Sequence, residues 1–486
     1  MVKMNRRDFG KKLGRCSLGL GAATVIPRIS GLLATQSSRR TDIRVEEMSL
    51  EYEDYKYRVP IKFGGTVLDR ATIINVRCTV RTVGGQVAKG FGSMPMGNVW
   101  AFPSHTMNYE TTLGAMKALA SKICKITADS KVSGHPIDIN WTLQPEYLKA
   151  ASQVSNELHL SEPIPKLCAL VTTSAFDAAV HDAFGKVHNL NCYYTYGPEF
   201  MTHDLSYYAG SGFRGMYPDR FLLKEPKPRM PLYHLVSAVD PIEDSDITKR
   251  VNDGLPETLP EWINHDGLTH LKIKLNGNDL QWDVERVLRI DRVTTETQKK
   301  RGVTSWVYSL DFNEKCPNIE YFLDFIKRIK ERAPESFHRI QYIEQPFSRD
   351  METHRQSVAA AAKLVPVVID EALTGIDALM LARELGYTGA ALKACKGQSD
   401  MMIIAPVAEY HKMFLCVQDL TCPGASFIQS ASLAAHVPGV QAIEGNARQY
   451  MPNANQAWAS RFPGLFQVKD GTVETAHLDK LGLGAV

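Results

Sequence analysis

The chain has 486 residues, of which 44% are hydrophobic and 22% charged, and it carries a net charge of +3. That length calls for two or three domains, and the near-balanced charge points away from nucleic-acid binding and from a membrane surface. No apolar run reaches the roughly 18–20 residues that span a bilayer. The nine cysteines are scattered without paired or metal-site spacing, which argues against a disulfide framework.

The first 40 residues stand apart. Asn5-Arg6-Arg7-Asp8-Phe9-Gly10-Lys11 precedes a weakly apolar, Gly/Ala-rich run over 18–26. This resembles a twin-arginine export signal, matching at Arg6, Arg7, Phe9 and Lys11, with Gly10 in place of the usual apolar residue. The resemblance implies export in a bacterium by the twin-arginine machinery, to the periplasm. Arg15 before Cys16 argues against a lipoprotein site. Residues 1–40 are read as export signal and linker.

Residues 41–205 read as an α+β unit. Alternation over 67–82, a turn at Gly84-Gly85 and a second strand over 87–91 predict a hairpin. Residues 92–97 read as a flexible loop whose Met94 and Met96 present apolar side chains. A helix follows over 171–186, with Ala175, Ala178, Ala179, Ala183 and Phe184 on one face.

Over 206–450 the pattern changes to alternating strands and helices. Eight apolar runs lie at 232–238, 269–275, 306–311, 340–344, 365–370, 390–393, 414–419 and 440–444. They are spaced by about 30 residues, the length of one strand–helix–strand crossover, and each interval should hold one helix. Eight such units make a (β/α) barrel, and the Pro/Gly-rich residues 451–486 should pack back on the first unit.

Three of those runs end in a carboxylate: Asp311, Glu344 and Asp370. An unpaired carboxylate beside a core costs several kcal/mol, so three in succession call for a cation where they converge. In a barrel, strand C-termini share one mouth, and three hard oxygen donors there suit Mg²⁺, with Mn²⁺ as a substitute.

As a set, Lys272-x-Lys274, Asp311-x-Asn313, Glu344-Gln345-Pro346, Asp370-Glu371 and Lys393-x-x-Lys396-Gly397 resemble the enolase superfamily. Within it they look most like the mandelate racemase/muconate-lactonizing group and its dipeptide-epimerase branch. Ala175-x-Asp177-x-Ala179-x-x-Asp182-x-x-Gly185-Lys186 is similar to the last helix of that family's capping domain. The resemblance implies an α/β fold: a modified (β/α) TIM-type barrel over 206–450 and an α+β capping domain over 41–205, completed by the tail at 451–486. It also implies Mg²⁺ held by Asp311, Glu344 and Asp370, a small-molecule carboxylate substrate, and a homo-oligomer.

The expected chemistry is removal of a proton alpha to a carboxylate, with a metal-stabilised enediolate and a lysine base. Lys274 and Lys393 would face each other across the mouth, and Lys272 would tune Lys274 and bind substrate. Two opposed lysines suit a racemase or epimerase. One-base cycloisomerisation or syn elimination is the alternative, and a non-catalytic exported carboxylate-binding protein is the third. The His–Asp dyad of sugar-acid dehydratases is absent, since Asp419 ends the seventh strand. The Asp-x-Asp that grips a dipeptide's ammonium group is replaced by Glu444-Gly445-Asn446. Asn313, Asp419, Glu444, Met94 and Met96 are the expected substrate contacts. Lys396 reads as a helix-start or surface residue and Arg214 and Arg448 as solvated loop residues. His105, His234, His265 and His436 read as structural.

Overall fold

The computed structural model describes residues 39–63 and 65–485; the twin-arginine stretch around Arg6 and Arg7 lies outside them. Three antiparallel strands open the fold in the order β1-β2-β3: β1 (Ile43–Phe63), β2 (Thr66–Thr82) and β3 (Val87–Pro95). The turn between β2 and β3 falls at Gly84-Gly85, where Gly85 has φ 90°. Three long helices follow, α1 (Tyr109–Asp129), α2 (Pro136–Glu157) and α3 (Lys166–Val187). Asn108 caps α1 by accepting from Thr111 N at 2.9 Å, and Pro136 opens α2, where its missing N–H costs nothing.

Helix α3 is buried along almost its whole length. Its small-residue face lies on β3, where a Cβ on Gly90 would stand 2.0 Å from Ala179 O and one on Gly92 2.0 Å from Ala175 O. The glycines therefore serve close approach, not flexibility. This corrects the reading of 92–97 as a loop: Gly92 pairs with Val76 and Met94 with Ile74 in the sheet. Two acids of α3 reach outward. Asp177 accepts from Ser399 N at 2.7 Å and from Ser399 Oγ at 2.6 Å. Asp182 accepts from Phe91 N and from Leu483 N, both at 2.9 Å, so it holds strand and C-terminal tail together.

Eight parallel strands then close on themselves: β4 (Arg229–Val236), β5 (His270–Lys274), β6 (Val307–Asp311), β7 (Ile340–Glu344), β8 (Val367–Ile369), β9 (Gly389–Leu392), β10 (Phe414–Val417) and β11 (Val440–Glu444). Each pairs with the next, and β11 returns to β4. A ninth strand, β12 (Thr472–Glu474), adds antiparallel to the start of β4. Helix Ile319–Arg332 shows how the crossovers form: Phe322, Phe325, Ile326 and Ile329 recur at helical spacing and are buried. The crossover from β7 to β8 departs from the expected pattern, because its regular helix is only the four residues Ala359–Ala362.

Inside the barrel, Tyr233, Tyr342, Val368, Ala391, Cys416 and Ala442 form one apolar layer. Side chains two apart on a strand face the same way. The layer above is therefore Leu235, Glu344, Asp370, Lys393, Gln418 and Glu444, and the polar mouth rests on a packed plug.

Candidate active site

The register aligns the chemistry. Lys274 pairs with Asp311 and Asp311 with Glu344, so three charged groups of β5, β6 and β7 lie on one rung. Lys272 sits a layer deeper, and its ammonium reaches Glu444 at 2.6 Å, Glu344 at 2.9 Å and Asp311 at 3.1 Å. Lys274 pairs with Asp311. Across the ring Lys393 lies 2.8 Å from Asp370. Four strand steps separate β5 from β9 in a ring of eight, so Lys274 and Lys393 come from opposite walls.

Lys396 corrects its reading as a helix-start or surface residue. It is buried, and its ammonium donates to Asp370 O at 2.5 Å and Asp370 Oδ1 at 3.1 Å. Arg448 is half-buried, donating to Asp266 and, at 2.6 Å, to His234 Nδ1; Arg214 is exposed. Two further groups were not among the expected site residues. Gln418 donates to Glu344, and Glu371 Oε1 accepts from Asn313 Nδ2 and from Trp100 Nε1, both at 2.9 Å. Strand parity is the signal that finds the first, as Gln418 lies two residues after an inward-facing cysteine.

The turns after β6 and β7 are backbone-strained. Asn313 has φ 43° and Gln345 φ 31°, a region that non-glycine residues rarely enter. Gln345 Oε1 is held there by accepting from Asp370 N at 2.9 Å and Ala372 N at 3.3 Å, which rivets the end of β7 to that of β8.

Burial and neighbours set the charges. Burial would raise Asp311, but Lys274 and Lys272 outweigh it and hold the carboxyl well below its usual range. Asp370 is likewise held down, against burial, by Lys393 and Lys396. Glu344 is pushed up by burial and by Asp311. Burial and Asp370 push Glu371 up to about 7, and burial and Glu444 push Asp419 up to about 6. Burial disfavours the Lys272 and Lys393 ammonium groups, yet their carboxylate partners, Glu344 first for Lys272 and Asp370 for Lys393, hold both above the ordinary lysine value.

The donor set fits a divalent cation. Six buried carboxylates (Asp311, Glu344, Asp370, Glu371, Asp419 and Glu444) face four buried lysines (Lys272, Lys274, Lys393 and Lys396), so the acids outnumber the ammonium groups by two. Glu371 Oε2, Asn313 Oδ1 and Gln418 Oε1 are buried acceptors with no hydrogen-bond partner. Among the described residues no three His, Cys, Asp or Glu side chains are gathered around a single point.

The cleft above this layer has a volume of about 70 Å³. Lys272, Lys274 and Lys393 form its floor, Asp419, Glu444 and Asn446 one wall, and Tyr57, Ile61, Phe63 and Leu68 its roof. The roof is the tip of the β1–β2 hairpin, anchored by Lys62 N donating to Ser237 Oγ at 3.0 Å and by Ala238 N donating to Lys62 O at 3.2 Å. It therefore comes from a segment to which no motif in the sequence points. Met94 and Met96 do not line the cleft: they are 0% and 1% exposed, and Met94 Sδ lies 3.8 Å from Cys422 Sγ. Parity explains it, since both methionines face inward while Pro95 and Gly97 face the cleft. Asn313 is buried behind the floor on Glu371, not in the cleft.

The fold is that of enolase-superfamily enzymes, an eight-stranded parallel barrel with an N-terminal capping domain. Residues 255–486 match the family described as Enolase C-terminal domain-like. Among solved structures the chain is similar to an L-Ala-D/L-Glu epimerase from Bacillus subtilis at TM-score 0.60 and 15% identity, covering 91% of this chain and 99% of that one. A dipeptide epimerase from Enterococcus faecalis, solved with Mg and a dipeptide, gives 0.58 and 15%, again over 91% and 99%. A muconate lactonizing enzyme from Pseudomonas fluorescens gives 0.56 and 14%, over 91% and 96%. At these identities the likeness is one of fold. No curated protein sequence matches the chain.

Proposed function

We propose that the protein is a Mg²⁺-dependent isomerase that removes a proton alpha to a carboxylate and returns it, a racemase or epimerase. The observation that carries this is the pair Lys274 and Lys393, which come from opposite walls of the barrel to line one small cleft, both bordering the strand-end acids. Asp311, Glu344 and Asp370 would hold the metal, and Mn²⁺ has the same ligand preference. When bound, the ion would act as a Lewis acid on the substrate carboxylate and draw the acids off the lysines. Lys272 keeps a positive charge beside Glu344 and Glu444 and would orient the substrate carboxylate. Lys274 and Lys393 would take and return the proton on opposite faces. The roof hairpin would exclude water from the reacting carbon.

A one-base reaction, cycloisomerisation or syn elimination, is favoured by one observation: Lys393 is held by Asp370 and by the Trp100 ring, 4.2 Å from its Nζ. The test is α-proton exchange in D₂O with Mg²⁺, read by mass spectrometry. Loss of exchange in both Lys274→Ala and Lys393→Ala, with scrambling of configuration in the parent, supports the epimerase. Loss in Lys274→Ala alone supports the one-base reaction. Absence of exchange with every carboxylate tried would leave only binding as the task of the site.

We also propose that the protein is exported by the twin-arginine route, on the strength of Arg6, Arg7, Phe9 and Lys11. Replacing Arg6 and Arg7 by lysine should strand the protein in the cytoplasm on fractionation, and unchanged periplasmic recovery would refute this.

A further inference from the structure

A second cavity, with a volume of about 240 Å³, lies behind the roof hairpin. Arg58, Val59 and Pro60 of β1 form one side of it, and residues of the segment 239–259 form the other. Leu235 borders both this chamber and the cleft, and packs with Ile61 and Tyr450 as the apolar layer between them. Tyr57 and Ile61 face the cleft while Arg58 and Pro60 face the chamber, as alternation along a strand requires.

His234 stands in the chamber wall and is 2% exposed. Arg448 approaches its Nδ1 at 2.6 Å. A guanidinium can only donate, so Nδ1 is the acceptor and the proton of the neutral ring sits on Nε2. Burial and the Arg448 charge hold the imidazole well below its ordinary pKa, which keeps it neutral. Nε2–H then needs an acceptor. Among the described residues its polar neighbour is Gln449 Nε2 at 3.4 Å, itself a donor. The Gln449 amide cannot turn over, because its Oε1 accepts from Leu235 N at 3.3 Å while its Nε2 donates to Leu235 O at 2.9 Å. A buried N–H left without a partner is costly, and here it borders empty space.

The walls around this donor are apolar, formed by Val59, Pro60, Val236, Ile247, Leu259 and Trp262. The charges in the lining are committed. Arg58 forks onto Asp253 at 2.5 and 2.7 Å, and Asp246 holds Arg289 at 2.7 Å. Asp240 accepts from Tyr450 Oη and Ser237 N, both at 2.8 Å, and Glu257 accepts from Val251 N at 3.0 Å. Lys249 is exposed. The described lining therefore offers no buried counter-charge to an ion, which makes a charged occupant expensive. A dry cavity of about 150 Å³ admits benzene, so this one takes a molecule of about ten non-hydrogen atoms.

We infer that the chamber is a second ligand site, separate from the cleft, for a small uncharged molecule with an apolar body and one carbonyl or ether oxygen that accepts from His234 Nε2. Its occupant packs behind the roof hairpin and holds it against the cleft. The site is independent of the reaction proposed above, since Leu235 is the residue that the two spaces share.

The test is a ligand-observed NMR titration of the full chain with two probes of equal size. Acetophenone carries a carbonyl, and α-methylstyrene replaces its oxygen by CH₂. Acetophenone should bind about tenfold more tightly, the effect of satisfying one buried donor. In His234→Phe that ratio should fall to near one. Val251 lines the chamber and is 41% exposed, so Val251→Trp can plug the mouth without disturbing the core, and it should abolish binding of both probes. Acetophenone should also slow amide hydrogen exchange over 57–63 in the parent and not in Val251→Trp. Absence of saturable acetophenone binding, equal binding of the two probes, a ratio that survives His234→Phe, or binding undiminished in Val251→Trp overturns the site. Binding that leaves exchange over 57–63 unchanged overturns its hold on the roof.

Discussion

The indole of Trp100 lies over the ammonium group of Lys393, with Nζ 4.2 Å from the ring centroid. The residue is held at two further points: its ring Nε1 donates to Glu371 Oε1 at 2.9 Å, and Arg349 donates to its backbone carbonyl at 3.1 Å. A cap residue therefore fixes a barrel lysine, through an attraction worth about 0.5–2 kcal/mol. Trp100→Leu should slow α-proton exchange about tenfold with little change in KM, while Trp100→Phe keeps a ring face and most of the rate. A KM change with kcat intact would mean that Trp100 acts on substrate binding and not on Lys393.

The excess of buried carboxylates over lysines makes a second expectation. Mg²⁺ should raise the melting temperature, since an ion that binds only the folded state at 100 times its Kd stabilises by about 2.7 kcal/mol. Glu344→Gln and Asp370→Asn should abolish the rise, and chelation should reverse it in the parent. Differential scanning fluorimetry across a Mg²⁺ titration reads this without any substrate. A parent protein indifferent to Mg²⁺ and Mn²⁺ would remove the metal from the proposed function.

What the sequence disclosed follows the same physics. Asp311, Glu344 and Asp370 were legible because each ends a continuous apolar run that only a buried strand explains. The roof hairpin was not, since Tyr57, Ile61 and Phe63 sit in a charged, alternating stretch that reads as any exposed strand. Met94 and Met96 were misplaced because Gly, Ser and Pro around them carry a loop signature, although here small residues let β3 touch α3. Lys396 and Arg448 looked solvated because sequence shows a charge and not the partner, Asp370 or Asp266, that draws it out of the solvent.

The β3–α3 contact can be broken directly. Gly92→Ala would place a Cβ 2.0 Å from Ala175 O, a backbone atom that cannot swing aside. Overpacking of this kind costs about 1–3 kcal/mol or more. The expected result is a lower urea midpoint with the m-value unchanged. Gly114→Ala, where nothing stands within 4 Å of the added Cβ, should be neutral or slightly stabilising in mid-helix. Equal effects from the two changes would show that the close approach of strand and helix does not limit stability.

The seam between α3 and the barrel also makes stability depend on pH. Asp400 is buried beside Asp177; burial first and Asp177 second push its carboxyl up to about 7 from 3.8, and burial pushes Asp177 up to about 6. Lys166 opposes the rise at Asp400, and Gln144 Nε2 donates to it at 3.3 Å. For an acid raised in the folded state, the unfolded chain loses its proton first as pH climbs. This pair's contribution is therefore best below about pH 4, and it falls through the window up to pH 7. Each tenfold change in proton affinity is worth about 1.4 kcal/mol, so the loss is on the order of a few kcal/mol. Asp400→Asn removes the larger share of it. The variant should melt above the parent at about pH 8, and the gap should close as pH falls toward about 4. A variant that melts below the parent under the alkaline condition would show that the Asp400 charge is stabilised by Lys166 more than burial penalises it.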